Sequence, residues 1–160
     1  MSIDGTDFSI LEPIPFDSKW YTHKFNGAGL RYKVGICIQT GWICWINGPF
    51  PCGAWPDIRI SRDALVYELL AGEKVLSDRG YGGAYHTTPH GRRDDPIQKM
   101  QGKARARHET INGLFKKFNC LNNKWRHKRN NHHTAFWAVA NITQLKIQKE
   151  GVTWHVPYNH

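Results

Sequence analysis

An α/β fold with a mixed sheet is what this sequence predicts, and three observations carry it. Residues 31–39, Arg-Tyr-Lys-Val-Gly-Ile-Cys-Ile-Gln, alternate polar with apolar as a half-buried strand does. Val75-Leu76 is a short apolar run that follows a helical pattern, the signature of a buried strand entering a sheet in parallel. Ile111, Leu114, Phe115 and Phe118 recur at i, i+3, i+4 and i+7, one apolar helical stripe. Three antiparallel strands, then parallel strands, with packed helices, is the arrangement these patterns require.

The elements follow in order. Ile3 to Ile10 alternates weakly and forms the first strand, ended by Pro13 and Pro15. Residues 17–30 are polar and glycine-rich, a connection. Arg31 to Gln39 is the second strand, Thr40-Gly41 a tight turn, and Trp42 to Ile46 the antiparallel partner. Residues 47–56 hold prolines and glycines enough to read as loop. Ser61 then caps a helix with Leu65, Val66, Leu69 and Leu70 inward and Gly72 as its stop. After Val75-Leu76, residues 80–102 are rich in Gly, Pro, His and charge and read as an exposed loop. A helix covers residues 105–118, residues 124–133 are polar and basic, and a last packed helix runs from Phe136 to Thr143. That element order is the order of a ribonuclease-H-like domain.

Composition narrows the functional classes. At 160 residues the chain suits one domain, and seven Trp, seven Phe and six Tyr give it a core. No apolar run approaches the roughly 20 residues that span a bilayer, so no membrane partner is expected. A net charge of +9 points instead to a polyanion. Cys37, Cys44, Cys52 and Cys120 show no paired ligand spacing and read as reduced thiols rather than a zinc site with His132 and His133.

Three acids stand where chemistry can use them. Asp4 is on the first strand, Asp78 ends the later strand, and Glu109 projects from the border of the following helix. An acid on each of these elements can converge on divalent metal. Mg2+ and Mn2+ prefer oxygen donors, and two such ions about 3.5–4 Å apart can activate the attacking oxygen and stabilise the leaving oxygen of a phosphodiester. Asp57, in Trp-Pro-Asp-Ile-Arg, competes with Asp78 for the second place; Asp78 is preferred because a strand end holds a ligand rigidly. Each acid also has a plain alternative: an Asp-Gly turn at Asp4, a turn before Gly80 at Asp78, a solvated helix face at Glu109.

The stretches Ile3-Asp4-Gly5-Thr6, His23-Lys24-Phe25-Asn26-Gly27, Asn47-Gly48-Pro49-Phe50-Pro51-Cys52-Gly53, Leu76-Ser77-Asp78-Arg79-Gly80-Tyr81 and Arg107-His108-Glu109-Thr110-Ile111-Asn112 resemble a DDE-type transposase catalytic domain of the PIF/Harbinger group. The resemblance implies one catalytic domain over residues 1–160, without the upstream DNA-binding region of the group. It implies a ribonuclease-H-like fold that nicks transposon ends and joins the 3′-hydroxyl to target DNA with two Mg2+ or Mn2+ ions. By position Asp4, Asp78 and Glu109 are then the catalytic and metal-binding acids, with Asp57 a further metal candidate. The implied partners are transposon-end and target DNA, a second copy of the chain and a separate DNA-binding accessory protein, in the nucleus. A domesticated or relic copy that binds DNA or protein without catalysis is the alternative.

Lys103, Arg105, Arg107, Lys116, Lys117, Arg126, Lys128 and Arg129 are expected to line the DNA path beside Glu109, with Lys24 and Arg31 reaching phosphate from the early segment. Trp20, Trp42, Trp45, Trp125 and Trp137 are assigned to the core and Trp55 to a loop, where it could stack on a base.

Overall fold

The computed structural model describes residues 1–78, 81, 83–88 and 95–151. A mixed sheet forms its centre. Strand β1 (Ser2–Ser9) lies between β3 (Gly27–Ile36), with which it pairs antiparallel, and β5 (Val75–Leu76), with which it pairs parallel. On the far side of β3 are β4 (Ile43–Pro51) and the short β2 (Tyr21–Thr22), both antiparallel; β6 (His86–Thr87) extends the other edge in parallel with β5. The expected three antiparallel strands and the parallel addition are therefore present, and the sheet gains two short strands at its margins.

Helix α1 (Asp57–Asp63) and a 3-10 turn (Leu65–Glu68) cover one face of the sheet. Helices α2 (Pro96–Phe115), α3 (Asn119–Asn122) and α4 (Arg129–Glu150) cover the other. Strand alternation sorts the side chains between them. Phe8, Tyr32, Val34 and Ile36 pack with Ile111, Phe115, Phe136 and Val139 on the α2/α4 face. Ile3, Val75 and Tyr81 pack with Leu65 on the α1 face. Tyr32 and Phe136 stack with ring centroids 3.8 Å apart, and Phe8 and Phe115 meet Phe136 edge-on. His132, buried beside them, shares a 2.8 Å hydrogen bond between Nδ1 and the Tyr32 hydroxyl, and burial lowers its pKa to about 4. It is a core residue near the start of α4. His133 is exposed.

Several boundaries differ from the sequence expectation, each for a local reason. Strand β4 runs on through Asn47-Gly48-Pro49-Phe50-Pro51, because among the described residues it pairs only with β3 and its prolines need no partner on the outer side. Helix α1 starts at Asp57, directly after Pro56, rather than at a Ser61 cap; Ser61 is buried and bonds His86 Nε2 at 3.0 Å. Leu70, expected inward, is exposed. Helix α2 begins nine residues earlier than expected, within the segment read as loop. There the Asp95 side chain accepts from Ile97 N at 2.8 Å and Pro96 takes the first helical position. Helix α4 extends to both sides of its apolar stretch, with exposed residues such as Asn131 and His133 before it and Lys146 and Lys149 after it continuing its outer face. Asp94 and the residues after Gly151 lie outside the described residues.

Trp125 is buried, but Trp42 and Trp137 are exposed, which corrects their assignment to the core. All four cysteines are free thiols. No helix among the described residues is long and apolar enough to cross a membrane.

Gly113 is helical, and a Cβ built there meets nothing within 4 Å. Glycine in a helix interior costs about 0.5–1 kcal/mol relative to alanine. Gly113→Ala is therefore expected to stabilise the protein by that amount in urea unfolding; a loss of stability would show a contact that the fold does not contain.

Candidate nuclease cleft

The acid at position 4 is an interior strand residue, not a turn. Asp4 pairs across from Val34, and its Oδ1 accepts from Gly5 N at 2.8 Å. Alternation turns its side chain to the α2/α4 face, where α2 passes overhead. Ser2, two residues earlier on the same face, hydrogen-bonds His108 Nε2 at 3.0 Å and ties α2 to β1 at this level. Burial lowers the His108 pKa to about 3, so this tie is made by a neutral imidazole. Glu109 follows His108 and projects at the exposed border of α2.

Asp78 emerges just past β5, the strand parallel to β1. Asp4, Asp78, Arg105, His108 and Glu109 line one cleft of about 310 Å³. The three acids expected from the sequence are thus brought to one place. Burial raises the Asp4 pKa above the usual carboxylate range; Lys33 and the Gly5 N–H oppose that rise, and Asp57 and Glu109 add to it. Asp78 is turned toward α2, with Oδ1 2.8 Å from Arg105 Nη2. Among the described residues no group of three His, Cys, Asp or Glu side chains is gathered closely enough to hold a metal ion.

Asp57 occupies different ground. It opens α1 on the opposite face of the sheet, against Gly5, where a Cβ would stand 2.2 Å from Asp57 Oδ1. Glycine is required there because the carboxylate packs onto the strand. Asp57 Oδ1 also accepts from Lys33 Nζ at 3.0 Å, with Arg31 Nη1 3.8 Å from its Oδ2. Lys33 is fully buried, lies 4.2 Å from the Tyr81 ring centroid, and has its pKa lowered by desolvation. The sequence reading missed Lys33 as a site neighbour. The signal was available: Arg31 and Lys33 share one face of a strand whose flanking residues are apolar.

The basic residues separate into groups. Arg31 holds Asp7 through two contacts of 2.7 and 2.8 Å and donates to the Trp55 carbonyl at 3.2 Å, so its guanidinium is committed within the fold. Arg107 is buried and donates to the Ile38 carbonyl. Lys103 and Arg105 lie on α2 one to two turns before Glu109. Lys24 is exposed in the turn before β3. Lys116, Arg126, Lys128 and Arg129 do not crowd around Glu109; they lie toward the other end of the sheet, where Ile10 bridges to Trp125, while Lys117 lines a groove between α2 and α4 with Arg107, Lys146 and Glu150. Trp55 is not a free platform either, since it packs on Phe50 and under Arg59.

A family model described as DDE superfamily endonuclease matches residues 3–143. The chain belongs to the DDE superfamily endonucleases. No curated protein and no solved structure matches the chain. Membership in this family makes the chain a transposase-type nuclease domain by descent and DNA its implied partner, and endonucleases of the superfamily typically use divalent metal ions. The match begins one residue before Asp4 and extends past Glu109, so every acid of the cleft falls inside the family region.

Proposed function

We propose that this DDE superfamily endonuclease domain cuts and joins DNA by metal-dependent phosphoryl transfer, with Asp4, Asp78 and Glu109 as the metal-holding acids. The observation that carries the proposal is their common cleft, built from the central strand, the strand beside it and the helix above. The strand order supports a ribonuclease-H-like fold, and the motif order a PIF/Harbinger-like transposase acting in the nucleus.

The donor set fits Mg2+ or Mn2+ in its chemistry. Three carboxylates supply hard oxygen donors, and a half-buried acid whose pKa is raised partly by carboxylate neighbours stands where a cation is favourable. Asp4 and Glu109 would hold the metal, and Asp78 would join them once it leaves Arg105. The bound ions would activate the attacking oxygen and stabilise the leaving one. The chain's own groups do the rest. His108, neutral and bonded to Ser2, keeps α2 in register with β1, so Glu109 stays over Asp4. Lys33, beneath the sheet, favours the ionised form of Asp4. Arg105 and Lys103 offer positive charge to phosphate at the mouth of the cleft. Asp57 is assigned to Lys33 rather than to metal.

One observation favours a second reading, a binding module that no longer performs catalysis: Asp78 is paired with Arg105 and the acids are not gathered into a metal group. Titration calorimetry with Mn2+ separates the two readings. A catalytic domain is expected to bind Mn2+ with an affinity that falls at least tenfold in Asp4→Asn. Binding that ignores this substitution, or no binding at all, favours the silent module.

A further inference from the structure

The positive charge of this molecule is concentrated in one part of the chain. Residues 110–149 contain eight Lys and Arg and no Asp or Glu, leaving fourteen basic against thirteen acidic residues elsewhere. Nearly all of the net charge of +9 therefore comes from the C-terminal end of α2, α3, the connector after it and α4.

The topology fixes where the densest part of that charge lies. Trp125 N donates to Ser9 O at 2.9 Å, and Leu11 N donates to Trp125 O at 2.8 Å, so the connector runs parallel beside the C-terminal end of β1. Asp4 is near the other end, six residues away in an extended strand, which at about 3.3 Å per residue is roughly 20 Å. Trp125 is buried and anchors the connector, with its Nε1 donating to Lys128 O at 3.1 Å. Its neighbours Lys124, Arg126 and Lys128 are exposed, as is Arg129. Open grooves of about 440 and 410 Å³ flank the anchored tryptophan on either side. A fixed connector that directs alternate basic side chains outward is a built surface and not a loose tail.

We propose that this basic end is a second duplex-DNA docking surface, separate from the acidic cleft, which grips the phosphate backbone of DNA flanking the reacting site. The choice of DNA over another polyanion rests on the DNA-processing reading above; the surface itself rests on charge and placement. Duplex DNA carries about one charge per 1.7 Å, so several lysines and arginines on one end can be engaged at once. A rise of about 3.4 Å per base pair places this grip roughly six base pairs from the reacting phosphate when the duplex runs along β1. The contacts are to backbone and carry no sequence preference.

Fluorescence anisotropy with a 30-base-pair duplex, read without metal over a salt series, tests the proposal. Replacing Lys124, Arg126, Lys128 and Arg129 together with Gln is expected to lower affinity at least tenfold at low salt. The slope of log affinity against log salt is expected to shrink by about 3–4, near 0.9 for each lost phosphate contact. A control with the same charge change elsewhere, Lys19, Arg59, Arg62 and Lys74 to Gln, is expected to change the slope by less than about 1. Equal losses in the two variants, or tighter binding of a duplex RNA of the same sequence, would overturn it. Because no metal or cleavage enters the measurement, failure of the catalytic reading leaves this result standing, and the converse also holds.

Discussion

Glu109→Gln and Asp4→Asn are each expected to reduce Mn2+-dependent cleavage of duplex DNA by about 10³-fold or more, a loss of roughly 4 kcal/mol in transition-state stabilisation. Both substitutions keep the shape of the side chain and remove its charge, so the cleft keeps its form while its affinity for a hard cation falls. Asp78→Asn belongs with them if Asp78 leaves Arg105 when metal arrives. The rate of nicking of a labelled duplex, read beside the thermal midpoint of each variant, checks this. Wild-type rates in both the Asp4 and Glu109 variants would remove the cleft from the mechanism.

Asp57→Asn is expected to act on stability, and strongly. Lys33 is fully buried (0% side-chain exposure) while Asp57 is 36% exposed, so the two ends of the pair are not equivalent. Removing the aspartate charge strands an ammonium beneath the sheet, and breaking a buried pair in this way costs on the order of 3 kcal/mol. Lys33→Met removes the more buried charge and leaves a carboxylate that water already reaches, so its cost is smaller. The double variant Lys33→Met/Asp57→Asn is expected to recover most of the loss, since neither charge of the pair remains. Urea unfolding of the three variants measures all of this. Were Asp57 instead a metal ligand, Asp57→Asn would lose Mn2+ binding with little change in unfolding.

The alternation of residues 31–39, the Val75-Leu76 run and the stripe from Ile111 to Phe118 each announced an element, because burial of one face imposes a period that survives in the sequence. Boundaries were less legible. Asp95-Pro96 starts α2 inside a stretch whose composition resembles loop, since a cap acts through two residues while composition averages over many. The prolines of β4 suggested a loop, and only its place at the margin of the sheet explains how they fit a strand.

Asp4, Asp78 and Glu109 were legible as candidates because each stands at a chemically pointed place in its own element. Their meeting in one cleft was not, for it depends on β5 joining β1 in parallel and on His108 seating α2 over Ser2. The commitment of Arg31 to Asp7 was equally hidden, because pairing across strands depends on register. So was the division of a basic sequence into a cleft rim and a distant end. The sequence by itself determined the class of fold, the family and the acids worth testing, through periodicity, local motifs and charge. Only the tertiary structure decided that Asp57 belongs to Lys33 on one face while Asp78 shares a cleft with Asp4 on the other. A strand shows its two faces as alternate residues, and what covers each face is settled by elements far away in the chain.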